Sequence, residues 1–251
     1  MNSAAAAFAQ PIAHRGLHDV DKGIVENSAD AFAAAIQAGF AIECDIQLTG
    51  DDEAVVFHDD ELDRLTEHKG DLNSLSADQL CRIPLKNSSN TPQRFAQFLD
   101  QINGQVPLVV ELKSQGSRNA LLAQKVVEIA DGYAGPLVYK SFDPRILIDL
   151  HKCKCKWPIG IVLEREKPAE LNEFQGFAVR HLLHFPWTRF DFISCNVGDL
   201  DLPMVRLFRA IGYRVMTWTV RSKASKDIAA HHADQIVFEG ETGAHSDDRD
   251  K

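Results

Sequence analysis

Short apolar runs recur along the chain, and four of the earliest end on ionisable side chains. Ile12-Ala13 leads into His14-Arg15-Gly16, and Phe40-Ala41-Ile42 leads into Glu43-x-Asp45. Val55-Val56-Phe57 precedes His58-Asp59, and Leu108-Val109-Val110 precedes Glu111-x-Lys113. Runs of this length read as buried strands. A buried strand excludes charge unless the charge faces a polar pocket, because desolvating an unpaired carboxylate or imidazolium is costly. The pattern therefore predicts strands whose ends share one polar site, as in an enzyme.

Eight such runs span the chain: Pro11–His14, Ala41–Gln47, Leu108–Leu112, Leu137–Lys140, Ile159–Leu163, Phe190–Cys195, Tyr213–Trp218 and Gln235–Phe238. Helical patterns separate them. One covers Ser28–Ala38, opened by an Asn27 or Ser28 cap and closed by Gly39. Another is Asn119–Ala130, and a third is Pro203–Ala210, with its proline early and Gly212 beyond its end. Strands alternating with helices favour a parallel sheet, and eight such units predict a closed (β/α)₈ TIM barrel. The expected organisation is one catalytic barrel domain over residues 1–251.

Between the second and third of these strands lies an excursion of about residues 51–90. It holds a further strand-like run at Ala54–Phe57, a Leu72–Leu75–Leu80 pattern with a helix start at Ser74 or Ser76, and a polar Lys86–Asn90 stretch. An insertion in a βα loop sits over the mouth of a barrel and can shape substrate choice. It can equally be a solvated loop steadied by a small helix. The charged tail, about residues 245–251, lacks apolar anchors and reads as disordered.

Composition narrows the function. With 45% hydrophobic and 25% charged residues, the 251-residue chain has the make-up of an ordinary globular protein. Its formal charge of −9 argues against nucleic-acid binding and against attachment to an anionic membrane. No stretch reaches the roughly 18 apolar residues of a membrane span. The alanine-rich start lacks the basic region of a signal peptide. The five cysteines are odd in number and lack a disulfide framework, so reduced thiols and a cytoplasmic location are expected. Cys153-x-Cys155 has no second ligand pair, and its lysine neighbours disfavour a metal. A small-molecule substrate is expected; the oligomeric state is open.

The chemistry follows from strand parity. Residues two apart on a strand share a face, so Glu43 and Asp45 project together with Cys44 turned away. Glu111 and Lys113 do the same on the neighbouring parallel strand. Three converging carboxylates repel one another unless a cation intervenes, and Ca²⁺ or Mg²⁺ suits an oxygen-only set. The alternative is that Arg15, Lys113 and another base pair with them separately. His14 and His58 bring two imidazoles suited to proton transfer to the same rim. Arg15 can bind a phosphate through two parallel hydrogen bonds, and Lys113 adds a second positive charge. This combination describes a site for cleaving a phosphate ester.

These residues, with Glu26-Asn27, Ser141-Phe142 and Trp218-Thr219-Val220, occur in an order that resembles the glycerophosphodiester phosphodiesterases, from about residue 11 to 240. The resemblance implies a barrel that hydrolyses glycerophosphodiesters to glycerol 3-phosphate and an alcohol. It implies that Glu43, Asp45 and Glu111 hold the divalent cation. By the same likeness His14 and His58 act as general acid and base, and Arg15 and Lys113 contact the phosphate. Phe142 and Trp218 are candidates for the pocket wall, although either could simply pack the strand ends. Glu26-Asn27 reads as organising the first loop. His18 lies near the site in sequence, whereas His181, His184, His231 and His232 read as surface or structural.

The chain departs from that family's pattern in three places. Pro-Glu-Asn-Thr becomes Val25-Glu26-Asn27-Ser28, the Asn after Trp-Thr-Val becomes Arg221, and Thr-Asp-x-Pro becomes Phe238-Glu239-Gly240-Glu241. These departures bear on the rim at the eighth barrel strand and on the leaving-group pocket. Two rival functions remain at this stage. One is a lyase-type relative resembling the phospholipase D toxins, which are secreted and disulfide-bonded. The other is a non-catalytic sensor of phosphate ligands on the same barrel.

Overall fold

The computed structural model describes residues 3–166 and 172–240. The charged tail lies outside the described residues. Among the described residues ten strands are present: Ile12–Ala13 (β1), Ala41–Leu48 (β2), Ala54–Val56 (β3), Gln93–Arg94 (β4), Leu108–Leu112 (β5), Leu137–Ser141 (β6), Ile159–Leu163 (β7), Phe192–Asn196 (β8), Arg214–Val220 (β9) and Gln235–Phe238 (β10). Eight of them, β1, β2 and β5 to β10, pair in parallel in chain order. The closing contacts are Ile12 opposite Val237 of β10 and opposite Ala41 of β2. The sheet is a closed (β/α)₈ barrel, as the spacing predicts.

Alternation along each strand divides two kinds of interior. Side chains facing outward, such as Ile42, Cys44, Ile46, Val110 and Leu112, pack beneath the helices in the main core. Inward rows begin apolar and end polar. Ile12, Ala41, Val109, Val138, Phe192, Met216 and Val237 fill the lower barrel. Two residues further along the same strands stand His14, Glu43, Glu111, Lys140, Ser194, Trp218 and Glu239. The lower rows make the floor of a site at the C-terminal ends, where barrels of this type place their chemistry. Gly160 makes room for this floor, since a Cβ there would lie 2.2 Å from the Phe192 ring.

The N-terminal alanine-rich segment has a structural task. It forms the helix Ser3–Ala7, and Ala7 and Phe8 join the lower barrel cluster, with Phe8 edge-on to Phe192 at 5.8 Å. The expected caps hold: the Ser28 hydroxyl accepts from Ala31 N–H to open Ala29–Ala38, and Gly39 closes it in the left-handed conformation.

The excursion after β2 is more than a solvated loop. β3 runs antiparallel to the upper half of β2, and β4 runs antiparallel to β3. Val55, Phe57, Leu62, Leu65, Leu72, Leu80, Ile83 and Leu85 form their own buried cluster. The short helix is Ala77–Leu80, opened by Ser76 and Gln79 in a reciprocal capping box. Among the described residues, no helix is long and apolar enough to cross a membrane.

Candidate active site

The register between β2 and β5 sets Asp45 beside Glu111, and that between β5 and β6 sets Glu111 beside Lys140. Glu43, Asp45 and Glu111 are buried and bring one carboxylate oxygen each to within 4.8 Å of one another. Lys140 Nζ reaches between them, 3.0 Å from Glu43 Oε1 and 2.9 Å from Glu111 Oε2. Lys113 Nζ lies 2.9 Å from Glu111 and 3.4 Å from Asp45, and Arg15 Nε lies 3.4 Å from Asp45. Arg15, Lys113 and a further base, Lys140, thus contact the carboxylates, and each lysine bridges two of them, so the three are not paired separately.

These cations set the protonation of the cluster. Burial alone would raise the Asp45 carboxyl, but Lys113, His58, Arg15 and His14 draw it far below the ordinary carboxylate range. Glu111 is likewise held low by Lys113 and Lys140 against its burial. Burial would lower both ammonium groups, yet the carboxylates keep Lys113 and Lys140 above the usual lysine range. Asp45, Glu111, Lys113 and Lys140 are therefore ionised at neutral pH. The donor set also fits a hard divalent cation. It consists only of oxygens, and Glu43 Oε1 makes no well-angled hydrogen bond although an ammonium lies beside it, so it retains acceptor capacity.

The first loop is shaped around this cluster. Arg15 (φ +58°), Gly16 (φ +80°) and Asn27 (φ +52°) all lie in the left-handed region. Only glycine suits the second of these positions, because a Cβ on Gly16 would fall 2.8 Å from Ala31. The turn directs Arg15 N–H to Glu43 Oε2 at 3.1 Å and receives Asn27 N–H on Arg15 C=O at 2.8 Å. Asn27 donates to Asp45 at 2.9 Å, while Glu26 accepts from Arg15 at 2.6 Å. Non-glycine residues held at positive φ carry strain that the surrounding bonds must offset, a condition that concentrates at functional sites.

His14 sits at the end of β1 with Nε2 3.8 Å from Glu43 Oε2 and Nδ1 2.5 Å from Glu239 Oε1. His58 follows β3, with Nδ1 2.6 Å from Asp59 Oδ1. Asp59 is gripped in turn by the Arg64 guanidinium, which also reaches Glu26 at 2.8 Å. The position of His58 is secured from below, since the buried Gln47 amide donates to the carbonyls of Phe57 and Asp59.

All the sequence-predicted site residues except Glu43 line one cavity of about 340 Å³. His14, Arg15, Asp45, His58, Glu111 and Lys113 form its polar end, and Glu43 lies buried beneath them. Phe142 and Trp218 meet edge-on at 5.5 Å across its wall, which favours the pocket reading of both. A second cavity of about 450 Å³ shares Glu111, Lys113 and Phe142 and continues over Leu112, Ser114, Pro144 and Asp60. Larger hollows elsewhere contain none of these side chains. His18, whose imidazole burial pushes below its ordinary pKa, does not line the cavity. His181, His184, His231 and His232 lie away from it as expected.

Sequence reasoning missed Lys140, Asn196 and Arg64, and marked Arg221 and Glu239 only as departures from the family pattern without a role. A signal for Lys140 was present: it is two residues past the inward-facing Val138, so parity alone aims it into the barrel. Glu239 follows Val237 by the same rule. Arg64 had no periodic signal, because it belongs to irregular chain between β3 and β4.

Fold and site together define the class: a (β/α)₈-barrel enzyme whose C-terminal mouth holds a carboxylate cluster beside two histidines. The family model for the glycerophosphoryl diester phosphodiesterase family matches residues 14–240. The Bacillus subtilis (strain 168) protein YhdW, provisionally named a glycerophosphodiester phosphodiesterase, is 31% identical over 237 residues, covering 90% of this chain and 92% of that one. Among solved structures, an Oleispira antarctica phosphodiesterase in complex with its product sn-glycerol-3-phosphate has a TM-score of 0.80 at 20% identity, with 95% of each chain covered. A glycerophosphodiester phosphodiesterase from Thermotoga maritima has a TM-score of 0.70 at 20% identity, covering 91% of this chain and 94% of that one. The chain belongs to the glycerophosphoryl diester phosphodiesterase family.

Proposed function

We propose that this protein hydrolyses glycerophosphodiesters to glycerol 3-phosphate and an alcohol with the help of a divalent cation, Ca²⁺ or Mg²⁺. The observation that carries the reading is the convergence of Glu43, Asp45 and Glu111 beneath a cavity that also presents His14, His58, Arg15 and Lys113. The product-bound Oleispira relative supports the choice of glycerol 3-phosphate.

Glu43, Asp45 and Glu111 would hold the cation, which supplies charge stabilisation to the phosphoryl oxygens when bound. Arg15 and Lys113 are permanently charged in this site and orient the phosphate from the cavity wall. The two histidines divide the proton transfers. One imidazole takes a proton from the attacking hydroxyl group, of water or of the substrate's own glycerol, and the other donates one to the departing alkoxide. Phe142 and Trp218 exclude water from the wall beside the reacting group. The cytoplasmic location and the one-domain organisation belong to the same proposal, resting on the reduced thiols and on the continuous barrel pairing.

The test is direct. Glycerophosphocholine hydrolysis should be abolished by EDTA and restored by Ca²⁺ or Mg²⁺. His14→Ala and His58→Ala should each reduce kcat by about 10²–10⁴-fold. Full turnover by protein shown to be metal-free, or normal kcat in both histidine variants, would overturn the reading.

A further inference from the structure

Arg221 and Glu239, two positions at which the sequence leaves its family's pattern, are in contact with each other. Arg221 Nε lies 2.7 Å from Glu239 Oε2, and its terminal nitrogen lies 3.0 Å from Oε1. The same Oε1 lies 2.5 Å from His14 Nδ1. We propose that Glu239 and Arg221 are a positioning pair for His14, holding its imidazole so that Nε2 is the nitrogen that works on the phosphate. The inference rests on the acid/base role of His14 proposed above and extends it to two residues that act through that imidazole.

An imidazole on a strand end can rotate about its ring bond and can carry its proton on either nitrogen. An ionised carboxylate is an acceptor only, so a contact at hydrogen-bond distance with Nδ1 requires the proton there. Nε2 then faces Glu43 Oε2 and the cavity. Arg221 fixes the carboxylate in turn, because a planar guanidinium bonding both of its oxygens leaves one favoured orientation. His14 and Arg221 together hold the Glu239 carboxyl far below its usual range despite burial, so the acceptor is ionised whenever the enzyme works. The backbone reinforces this geometry, since His14 N–H donates to Phe238 C=O at 3.0 Å and sets the two side chains on adjacent strands.

The site contains the same device twice. His58 places Nδ1 on Asp59, and Asp59 is held by both sides of the Arg64 fork. Two imidazoles at one cavity, each with Nδ1 on a carboxylate and each carboxylate on an arginine, arise here from unrelated segments of chain. Accidental surface pairing would not reproduce the order of the three groups. Arg221 is 62% exposed on its side chain, so the barrel does not depend on it for burial.

The test compares single and combined variants of the full chain. Glu239→Ala should lower kcat by about 10–100-fold, the usual scale for a group that orients a functional histidine. KM should stay within about twofold, because no substrate contact is lost. Glu239→Gln, which keeps an acceptor, should fall between. Arg221→Ala should cost about 3–10-fold and Arg221→Lys less, since a point charge restores charge without the fork. In a His14→Ala background, Glu239→Ala should lower kcat no further. Nitrogen NMR of the His14 ring should show one Nδ1–H tautomer in the native protein and in Arg221→Lys, and a mixture in Arg221→Ala. Should Glu239→Ala fail to fold, the Arg221 variants and their ring spectra carry the same test. The pair is overturned if kcat stays near native in the Glu239 and Arg221 variants, or if Glu239→Ala remains as damaging without His14. Near-native kcat in His14→Ala alone would instead overturn the role of His14 on which the pair depends.

Discussion

At the scale of single residues, Lys140 changes how the carboxylate cluster should respond to mutation. Three unpaired carboxylates would gain stability when one was neutralised. Here Glu43 and Glu111 are matched by a buried ammonium, with Lys113 and Arg15 beside them. Glu43→Gln should therefore weaken cation binding without raising the melting temperature of metal-free protein. Lys140→Met should destabilise metal-free protein by about 3–5 kcal/mol, since it leaves buried carboxylates uncompensated. Added Mg²⁺ or Ca²⁺ should raise the melting temperature of that variant more than that of the native protein. Thermal melts with and without cation check both expectations. A native-like metal-free melt for Lys140→Met would show that the ammonium is not matched to the cluster.

Two other side chains give stability a definite pH dependence. His184 lies half-buried beside Phe190, and burial pushes its imidazole from 6.5 down to about 4. Burial works against the Asp59 carboxylate, but Arg64 and His58 hold it down from 3.8 to about 2. Between about 6.5 and 4 the unfolded chain binds a proton that folded His184 refuses, so stability falls as pH falls through that window. Below 3.8 the unfolded chain also protonates Asp59 first, and its contribution is lost as pH approaches 2. The melting temperature should drop in two stages, and His184→Gln should flatten the first. An unchanged first stage in that variant would assign it to other groups, His18 foremost.

At the scale of elements, the insertion between β2 and β5 supplies working parts. It delivers His58 at the end of β3 and returns Arg64 to bond Asp59 and Glu26, and Glu26 holds Arg15. One exposed arginine thus links His58 on the insertion, the proposed acid/base group, to Arg15 on the first loop, the proposed phosphate-binding residue. Arg64→Ala should lower kcat by about an order of magnitude or more, on the scale of lost orienting contacts. It should cost about 1 kcal/mol or less in stability, because the side chain is 47% exposed and water screens the pairs. Arg64→Lys should rescue little, since an ammonium cannot span two carboxylates. Kinetics and melts on the same preparations check this, and unchanged kcat would show that the Arg64 contacts do not orient His58 or Arg15.

How legible these parts were in the sequence follows from how each is held. Barrel strands and the helices Ala29–Ala38, Asn119–Ala130 and Pro203–Ala210 were legible because period and caps are local signals. The same parity placed Glu43, Asp45 and Glu111 together. β4 and the helix Phe95–Ile102 went unmarked, since a two-residue strand has no period and a polar stretch before Thr91-Pro92 masks the start. Arg64, and the partner of the already noted Arg221, were illegible for another reason: these contacts join residues distant in sequence, 38 and 18 positions apart. The N-terminal helix hid behind its composition, because alanine-rich chain shows no amphipathic stripe until Phe8 finds Phe192.

At the scale of the whole molecule, the distribution of apolar surface bears on substrate size. The large hydrophobic side chains exposed among the described residues are Val20, Phe174, Phe177, Leu183, Trp187, Leu207, Ile211 and Ile228. None belongs to the insertion, and none lines the cavity that holds the histidines and carboxylates. The insertion buries its own leucines in a separate cluster, so it presents charge and amide groups to solvent at the mouth. The adjoining cavity of about 450 Å³ offers Leu112, Phe142 and Pro144, enough for a small alcohol but bounded by Asp60, Asp143 and Arg145. A long acyl chain leaving that space would have to cross polar surface, at about 25 cal/mol for each Å² of hydrocarbon left in water. The formal charge of −9 opposes recruitment to an anionic bilayer as well. We therefore expect water-soluble deacylated diesters, such as glycerophosphocholine and glycerophosphoethanolamine, to be preferred by a wide margin over lipids. Comparing kcat/KM for glycerophosphocholine with that for lysophosphatidylcholine below its micellar concentration measures this directly. Equal or faster turnover of the lipid would mean that an acyl chain finds an apolar path out of the mouth, and the exposed Phe174 and Phe177 would be the first side chains to replace with serine in tracing it.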